Sequence, residues 1–309
     1  MSGAVRQRFA DGRWHFQHGP IECIVSAEGD ADVVAACIER AWQRFRGVLD
    51  ELVPELPLLR ADLSSAAGAR VAPQGPVARR MVAACRAHAS KGRFITAMAA
   101  VAGSVAEELI GFFDGPRIRR AYVNNGGDVA LHLGPGASFD VGLFTDPAHG
   151  LAGLPLDGRF RVAADSPVRG IATSGWRGRS FSLGIADSVT VLAATASAAD
   201  AAATAIGNAV DVDDPRIVRR PANEVRDGSD LLDRLVTCAV PALPAPLVEE
   251  ALQRGAEQAW REIEAGRIVA ALLCLQGRSV ACGGPGALAQ ALARESANEQ
   301  NIAICALTD

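Results

Sequence analysis

The stretch DSVTVLAATASAADAAATAIGNAV, residues 187–210, constrains the fold more than any other part of the chain. Residues 187–194 read as the clearest strand, and they lead into an alanine-rich helix over about 198–209. A strand running into a helix places the chain among folds that use both elements. Ser197 stands at the junction as a natural N-cap, and Asp200 three residues later completes the pattern of a capping box. Thr204 lies four residues beyond Asp200, so its hydroxyl shares a helical face with that carboxylate, one turn away. Alanines surround the pair, which leaves room for a hard cation and a phosphate near the positive end of the helix dipole. A cap and a metal pair are both open readings of these residues.

The rest of the chain alternates in the same way. Residues 13–17 and 21–26 read as a hairpin turned by His18, Gly19 and Pro20. Residues 30–53 carry apolar side chains at near-helical spacing, from Val33 through Trp42 and Phe45 to Leu52, and Pro54 ends the run. Helices are expected again over 77–89 and 95–113. The centre of the second is made of very small residues, which permit close approach by a sheet or ligand. Strands follow at 120–124, 129–133, 139–144, 159–163 and 168–173. Beyond Pro215 a basic connector leads to helices near 231–240 and 247–265, then to strands at 268–276 and 279–281. The expectation is an α+β protein, mainly antiparallel sheets packed with helices in a sandwich. It would form one domain over residues 1–309, with an inserted or appended subdomain at 215–309.

Composition excludes several classes. Hydrophobic residues make up 49% and charged residues 21%, as in an ordinary globular protein. The net charge of −4 and the scattered arginines argue against nucleic acid as a partner. The apolar run at 94–106 stops at Glu107 and Glu108, short of the roughly 18–20 residues that span a bilayer. The first twenty residues hold no apolar signal core, so a cytoplasmic location is expected. The seven cysteines include no CxxC pair and read as reduced, buried thiols. The five histidines form no HxH or HxxxH pairing, and no GxSxG, Walker loop or GxGxxG is present.

Two further segments could carry chemistry. Asn124, Asn125, Gly126, Gly127 and Asp128 lie between strand-like runs, where a tight hairpin turn wants these residue types. The same glycines could expose backbone N–H groups to a phosphate or a flavin ring. Thr173, Ser174 and Gly175 end a strand and lead to Trp176, Arg177, Gly178 and Arg179. Hydroxyls and forked arginine donors beside an aromatic suit a pyrophosphate and a stacked ring, and they fit an exposed basic loop equally well.

Taken in order, VNNGGDVAL at 123–131, GIATSG at 170–175 and the segment at 187–210 resemble the ApbE-like superfamily, whose founding members are FAD:protein FMN transferases. The first looks like that family's glycine-pair strand turn, the second like its threonine-serine-glycine strand end, the third like its metal helix. The resemblance implies that Asn125, Gly126, Gly127, Asp128, Thr173, Ser174, Gly175 and Arg177 bind the cofactor. It implies that Asp200 and Thr204 hold Mg²⁺ against the pyrophosphate of FAD or FMN. The family's AKG lysine has no counterpart in MAAVAGSVAEEL at 98–109, and its paired-histidine segment is represented in FSLGIADSVTV at 181–191 by Asp187 alone, the candidate catalytic residue. The chain looks closest to a branch of the superfamily without that histidine segment.

Three functions follow from this resemblance. One is Mg²⁺-dependent binding of a flavin nucleotide with FMN transfer from FAD to a protein threonine, or FAD cleavage. Another is cofactor biosynthesis on the same fold with a pterin-like or other phosphorylated substrate, as in one-carbon metabolism. The third is flavin or nucleotide binding without catalysis. The expected partners are a small-molecule nucleotide or cofactor and a protein acceptor, with no membrane. The small-residue helices also permit a homodimer. The Gly126 turn, the Thr173 strand end and the Asp200 helix start are expected to meet.

Overall fold

The computed structural model describes residues 3–89, 93–143, 158–284 and 302–304. The chain opens with β1 (Val5–Arg8), β2 (Trp14–His18) and β3 (Ile21–Gly29), then α1 (Ala31–Leu52), the short α2 (Leu56–Leu59) and α3 (Pro76–Arg86). A 3-10 turn, Ala97–Ala100, leads into α4 (Val101–Ile110). The strands β4 (Ile118–Asn125), β5 (Asp128–Leu133), β6 (Ser138–Leu143), β7 (Gly158–Ala163), β8 (Gly170–Ser174) and β9 (Ser188–Ala193) precede α5 (Ala196–Ala209). The remainder comprises β10 (Val218–Pro221), the one-turn α6 (Ala222–Val225), β11 (Leu235–Ala239), α7 (Ala245–Glu264), β12 (Ala270–Leu275), β13 (Arg278–Gly283) and β14 (Ile302–Ile304).

Nine strands form one antiparallel sheet in the order β1-β2-β3-β4-β5-β8-β9-β12-β13. Helices cover one face. The amphipathic α1 sets Trp42 and Phe45 against Phe16 of β2, with ring centres 5.1 and 5.5 Å away, while α5 and α7 pack on β9 and β12. On the other face Tyr122, Leu131, Ile171 and Leu192 meet Phe139, Val141 and Phe160 of a smaller sheet ordered β14-β6-β7. With both faces covered, β9 and β12 are buried at every position, which is why β12 is a continuous apolar run and β9 is apolar apart from Ser188 and Thr190. The fold is α+β, with antiparallel pairing throughout except for β14 beside β6.

Three local expectations are corrected. Residues 231–240, read as helical, hold turns and then β11, because Leu235–Ala239 pairs with β10 and sheet pairing overrides local propensity. The segment 95–113 is no single helix: α4 is flanked by 3-10 turns at Ala97–Ala100 and Gly111–Phe113. The helix after β9 starts two residues earlier than its pattern suggested. Thr195 is its N-cap, with Oγ1 accepting from the Ala198 amide, and Ser197 lies inside the first turn. Asp200 therefore does not cap its own helix.

Candidate functional site

The β4–β5 hairpin turns at Gly126 and Gly127, whose φ values of 65° and 108° are both left-handed. Two such residues in a two-residue loop make a type I′ geometry, which matches the strand twist and favours glycine. The Asn124 Oδ1 accepts from the Gly127 amide at 2.8 Å, and the Asn125 Nδ2 donates to the Ala102 carbonyl at 3.1 Å. The turn is thus tied to the start of α4. The hairpin reading holds, with Gly127 buried and its amide committed to Asn124, while Gly126 is partly exposed.

Asp200 reaches the same place from α5. Its Oδ2 accepts from the Gly103 amide at 2.9 Å. The N-cap residue of α4, Ala100, offers no side-chain acceptor, so this carboxylate supplies the missing cap from a neighbouring helix. Such closeness requires glycine: a Cβ on Gly103 would lie 2.3 Å from the Ala196 carbonyl oxygen and 2.8 Å from the Asp200 Cβ. The arrangement is reciprocal, because Glu107 of α4 accepts from the Ser197 amide at 3.0 Å and from its hydroxyl at 2.6 Å.

Asp128, buried at the start of β5, accepts from the Thr173 amide at 3.3 Å and feels the charge of Asp200. Burial first, and then the Asp200 charge, push its carboxyl well above the usual range. Burial also raises Asp200 to about 7, against the lowering effect of the Gly103 and Ala102 amides. Among the described residues no positive side chain contributes to either shift. Asp200 as a residue is half-buried, as is Thr204 one turn along α5, so both keep some contact with solvent.

The remaining candidates separate. The Thr173 hydroxyl pairs with that of Thr190 at 2.9 Å. It shares a face with Ile171, opposite the helices, so only its backbone reaches Asp128. Ser174 faces the last turn of α5, 3.8 Å from where a Gly207 Cβ would sit. Gly175 is pressed against the Asp187 backbone, where a Cβ would come within 2.2 Å of the carbonyl oxygen. Asp187 accepts from the Trp176 indole at 3.1 Å and the Gln276 amide at 2.6 Å, and the Arg177 Nε lies 3.4 Å away. Arg177 also lies over the Trp176 ring, 5.1 Å from its centre. Asp187 thereby fastens the 175–187 loop to the β12–β13 turn, and Arg177 pairs with it inside the loop.

Sequence patterns missed the trans-helical caps and the approach of Asp128 to Asp200, since neither pair has a local spacing. They also missed Arg226. Its guanidinium donates to the Arg179 carbonyl at 3.3 and 3.4 Å, while an Arg179 amine comes 3.5 Å from the position of a Gly126 Cβ.

A family model described as AbpE bacteria matches residues 6–281 of the chain. The chain belongs to that family. Within this ApbE-like group it is similar to a UPF0280 protein of Methanopyrus kandleri, 41% identical over 143 residues that make up 46% of this chain and 54% of the relative. The chain thus spans about half the length of that relative. A UPF0280 protein of Methanosphaerula palustris is 30% identical over 199 residues, 64% of this chain and 77% of the relative. Among solved structures, the ApbE protein of Thermotoga maritima aligns with a TM-score of 0.41 and 14% identity, covering 90% of this chain and 96% of that one. The flavinyl transferase ApbE of Pseudomonas stutzeri aligns with a TM-score of 0.40 and 12% identity, covering 94% and 97%.

Proposed function

We propose that this ApbE-like protein binds a flavin nucleotide together with Mg²⁺ and acts at its pyrophosphate, transferring FMN from FAD to a protein threonine or cleaving FAD. The observation that carries this reading is the approach of two carboxylates, Asp128 and Asp200, each raised by burial and Asp128 further by the charge of Asp200, at the glycine turn and the start of α4.

The side chains present fit a hard divalent ion. Asp200 and Thr204 offer carboxylate and hydroxyl oxygens from one face of α5, and Asp128, close enough to feel the Asp200 charge, adds negative charge. Among the described residues no cluster of three or more His, Cys, Asp or Glu is arranged to hold a metal, so the substrate's phosphate oxygens would complete the ligand set, as suits Mg²⁺. A bound Mg²⁺ would neutralise charge developing on the phosphates. The protein's own part is placement: the glycine turn lets backbone approach the ligand, and Asn125 holds that turn against α4. In the transfer, the attacking hydroxyl oxygen bonds the flavin-side phosphorus, the bond to the bridging oxygen breaks, and AMP leaves. Water in place of the threonine yields FMN and AMP.

A second reading, binding without transfer, is favoured by one observation. The Asp187 carboxylate is held by the Trp176 indole, the Gln276 amide and Arg177. Incubation of the purified protein with FAD and Mg²⁺ separates the readings. AMP release that is abolished by a chelator and by Asp200→Asn supports transfer or cleavage, whereas tight FAD binding without AMP supports binding alone. Absence of any flavin affinity refutes both and leaves a different phosphorylated substrate.

A further inference from the structure

Two carboxylates join α4 to α5 in opposite directions. Asp200 of α5 accepts from the Gly103 amide at 2.9 Å, and Glu107 of α4 accepts from the Ser197 amide at 3.0 Å and the Ser197 hydroxyl at 2.6 Å. Gly103 and Glu107 stand four residues apart on one face of α4, and Ser197 and Asp200 stand three apart on one face of α5. The contacts therefore lie about one helical turn from each other along the same seam. Helices ordinarily fix their mutual rotation by interdigitating side chains. Here Gly103 faces the Ala196 carbonyl and the Asp200 Cβ, too close for any side chain on α4 to enter. One hydrogen bond across such a seam leaves a pivot. A second, one turn away, removes it.

Glu107 is itself held from behind. The Arg80 Nε of α3 lies 3.1 Å from its Oε1, and the Arg80 Nη1 donates to Glu108 at 2.9 Å. Arg44 of α1 donates to Glu108 at 2.7 Å and to Glu51 at 2.9 Å. Alternating charges thus run from α1 through α3 and α4 and end at the first turn of α5, three residues before Asp200. That turn spends its amides on the protein: Ser197 donates to Glu107 and Ala198 to the Thr195 hydroxyl. The positive end of α5 serves its attachment to α4.

We infer that Glu107 is the positioning residue of this site: its grip on the first turn of α5 sets the rotation of that helix, and so holds the Asp200 carboxylate at the Gly103 amide. The inference rests on the proposed function for the ligand that Asp200 meets, and on the two reciprocal contacts for the placement of Asp200. Reach matters here more than charge. A glutamine at 107 keeps an oxygen of equal reach for the Ser197 amide, whereas an aspartate keeps the charge and ends one methylene short.

The test compares the full chain with Glu107→Asp and Glu107→Gln by amide hydrogen exchange at Gly103 and by Mg²⁺–FAD binding, with thermal melting as the measure of stability. Gly103 lies in the first turn of α4, where amides have no partner in their own helix, so its exchange reports the Asp200 contact. Glu107→Asp is expected to speed exchange at Gly103 about tenfold relative to later α4 amides and to weaken Mg²⁺–FAD about tenfold, the scale of one charge-assisted hydrogen bond. Glu107→Gln is expected to stay within about twofold of wild type in both, although losing the charge beside Arg80 lowers its melting temperature. Loss of affinity in both variants in step with melting makes Glu107 merely structural and overturns the inference, while the proposed function stands. Unchanged Gly103 exchange or unchanged affinity in Glu107→Asp overturns it equally. If the wild-type chain does not bind Mg²⁺–FAD, the flavin reading fails and Gly103 exchange alone decides the positioning: faster exchange in the aspartate variant and not in the glutamine variant supports it, and any other pattern overturns it.

Discussion

Asp200 caps a helix to which it does not belong: its Oδ2 accepts the Gly103 amide of α4 at 2.9 Å from its place in the middle of α5. The contact depends on the absence of a Cβ at Gly103, which would meet the Ala196 carbonyl oxygen at 2.3 Å. Gly103→Ala should separate the two helices and destabilise the fold by about 1–3 kcal/mol, the usual range for overpacking. Urea unfolding measures this, and a change below about 0.5 kcal/mol, within the range of an ordinary surface substitution, would contradict it.

The pH dependence of the metal-free protein follows from the same carboxyl. Burial pushes the Asp200 carboxyl up to about 7 in the fold, from 3.8 for a free aspartate. Between those values the unfolded chain is ionised while the fold retains the proton, so stability is fully present below about pH 4 and falls as pH rises toward 7. Asp200→Asn removes the Asp200 share of this slope, leaves the share that burial gives Asp128, and keeps an oxygen for the Gly103 amide. Denaturant melts across pH check the sign, and added Mg²⁺ should stabilise the wild type most above pH 7 if it binds there.

A buried network elsewhere behaves in the opposite sense. Glu262 of α7 is 1% exposed, with His88 3.3 Å away and Arg267 and Gln258 donating to it. Burial raises its carboxyl, but the His88 and Arg267 contacts outweigh that and bring it to about 2. Its stabilisation is present above 4.5 and is lost as pH falls toward 2. Glu262→Ala should cost about 3–5 kcal/mol at neutral pH by leaving buried partners uncompensated, as calorimetry or urea unfolding can show.

The two contacts at the start of α5 can be weighed separately. Thr195→Ala removes the side-chain cap on the Ala198 amide and should cost about 1 kcal/mol. Ser197→Ala leaves that cap intact and removes one of the two hydrogen bonds to Glu107. The double variant should be additive only if the two bonds act independently; coupling above about 0.5 kcal/mol would show that the caps act together.

Substitution at the glycine turn should affect shape before affinity. Gly126→Ala and Gly127→Ala place a Cβ on left-handed backbone, at a cost of about 1–2 kcal/mol each. At Gly126 the added carbon would also meet Arg179 at 3.5 Å, ordinary contact distance. Equal stability loss at the two positions with a larger loss of ligand binding for one would identify the side of the turn that faces the ligand.

Much of the architecture was legible because it is written in local periodicity. The α1 stripe from Val33 to Leu52, the hairpin glycines at 126 and 127, and the strand-to-helix passage at 187–210 each carry their own pattern. The segment 231–240 misled because its apolar residues suit either element, and pairing with β10, with a further backbone bond from Thr237 to Ser182, made Leu235–Ala239 a strand. Ser197 misled for a related reason: Thr195 has the same capping chemistry two residues earlier, and the backbone leaving β9 turns helical there.

The sequence by itself determined which residue types could do chemistry: paired oxygens at Asp200 and Thr204, a glycine turn beside Asp128, and arginines after a strand end. Only the tertiary structure decided their partners. Asp200 met Gly103, Asp128 felt Asp200, Arg177 met Asp187, and Arg226 met the Arg179 carbonyl. The physical reason is that burial and charge coupling depend on distance in space, whereas periodicity records only which side of its own element a residue occupies.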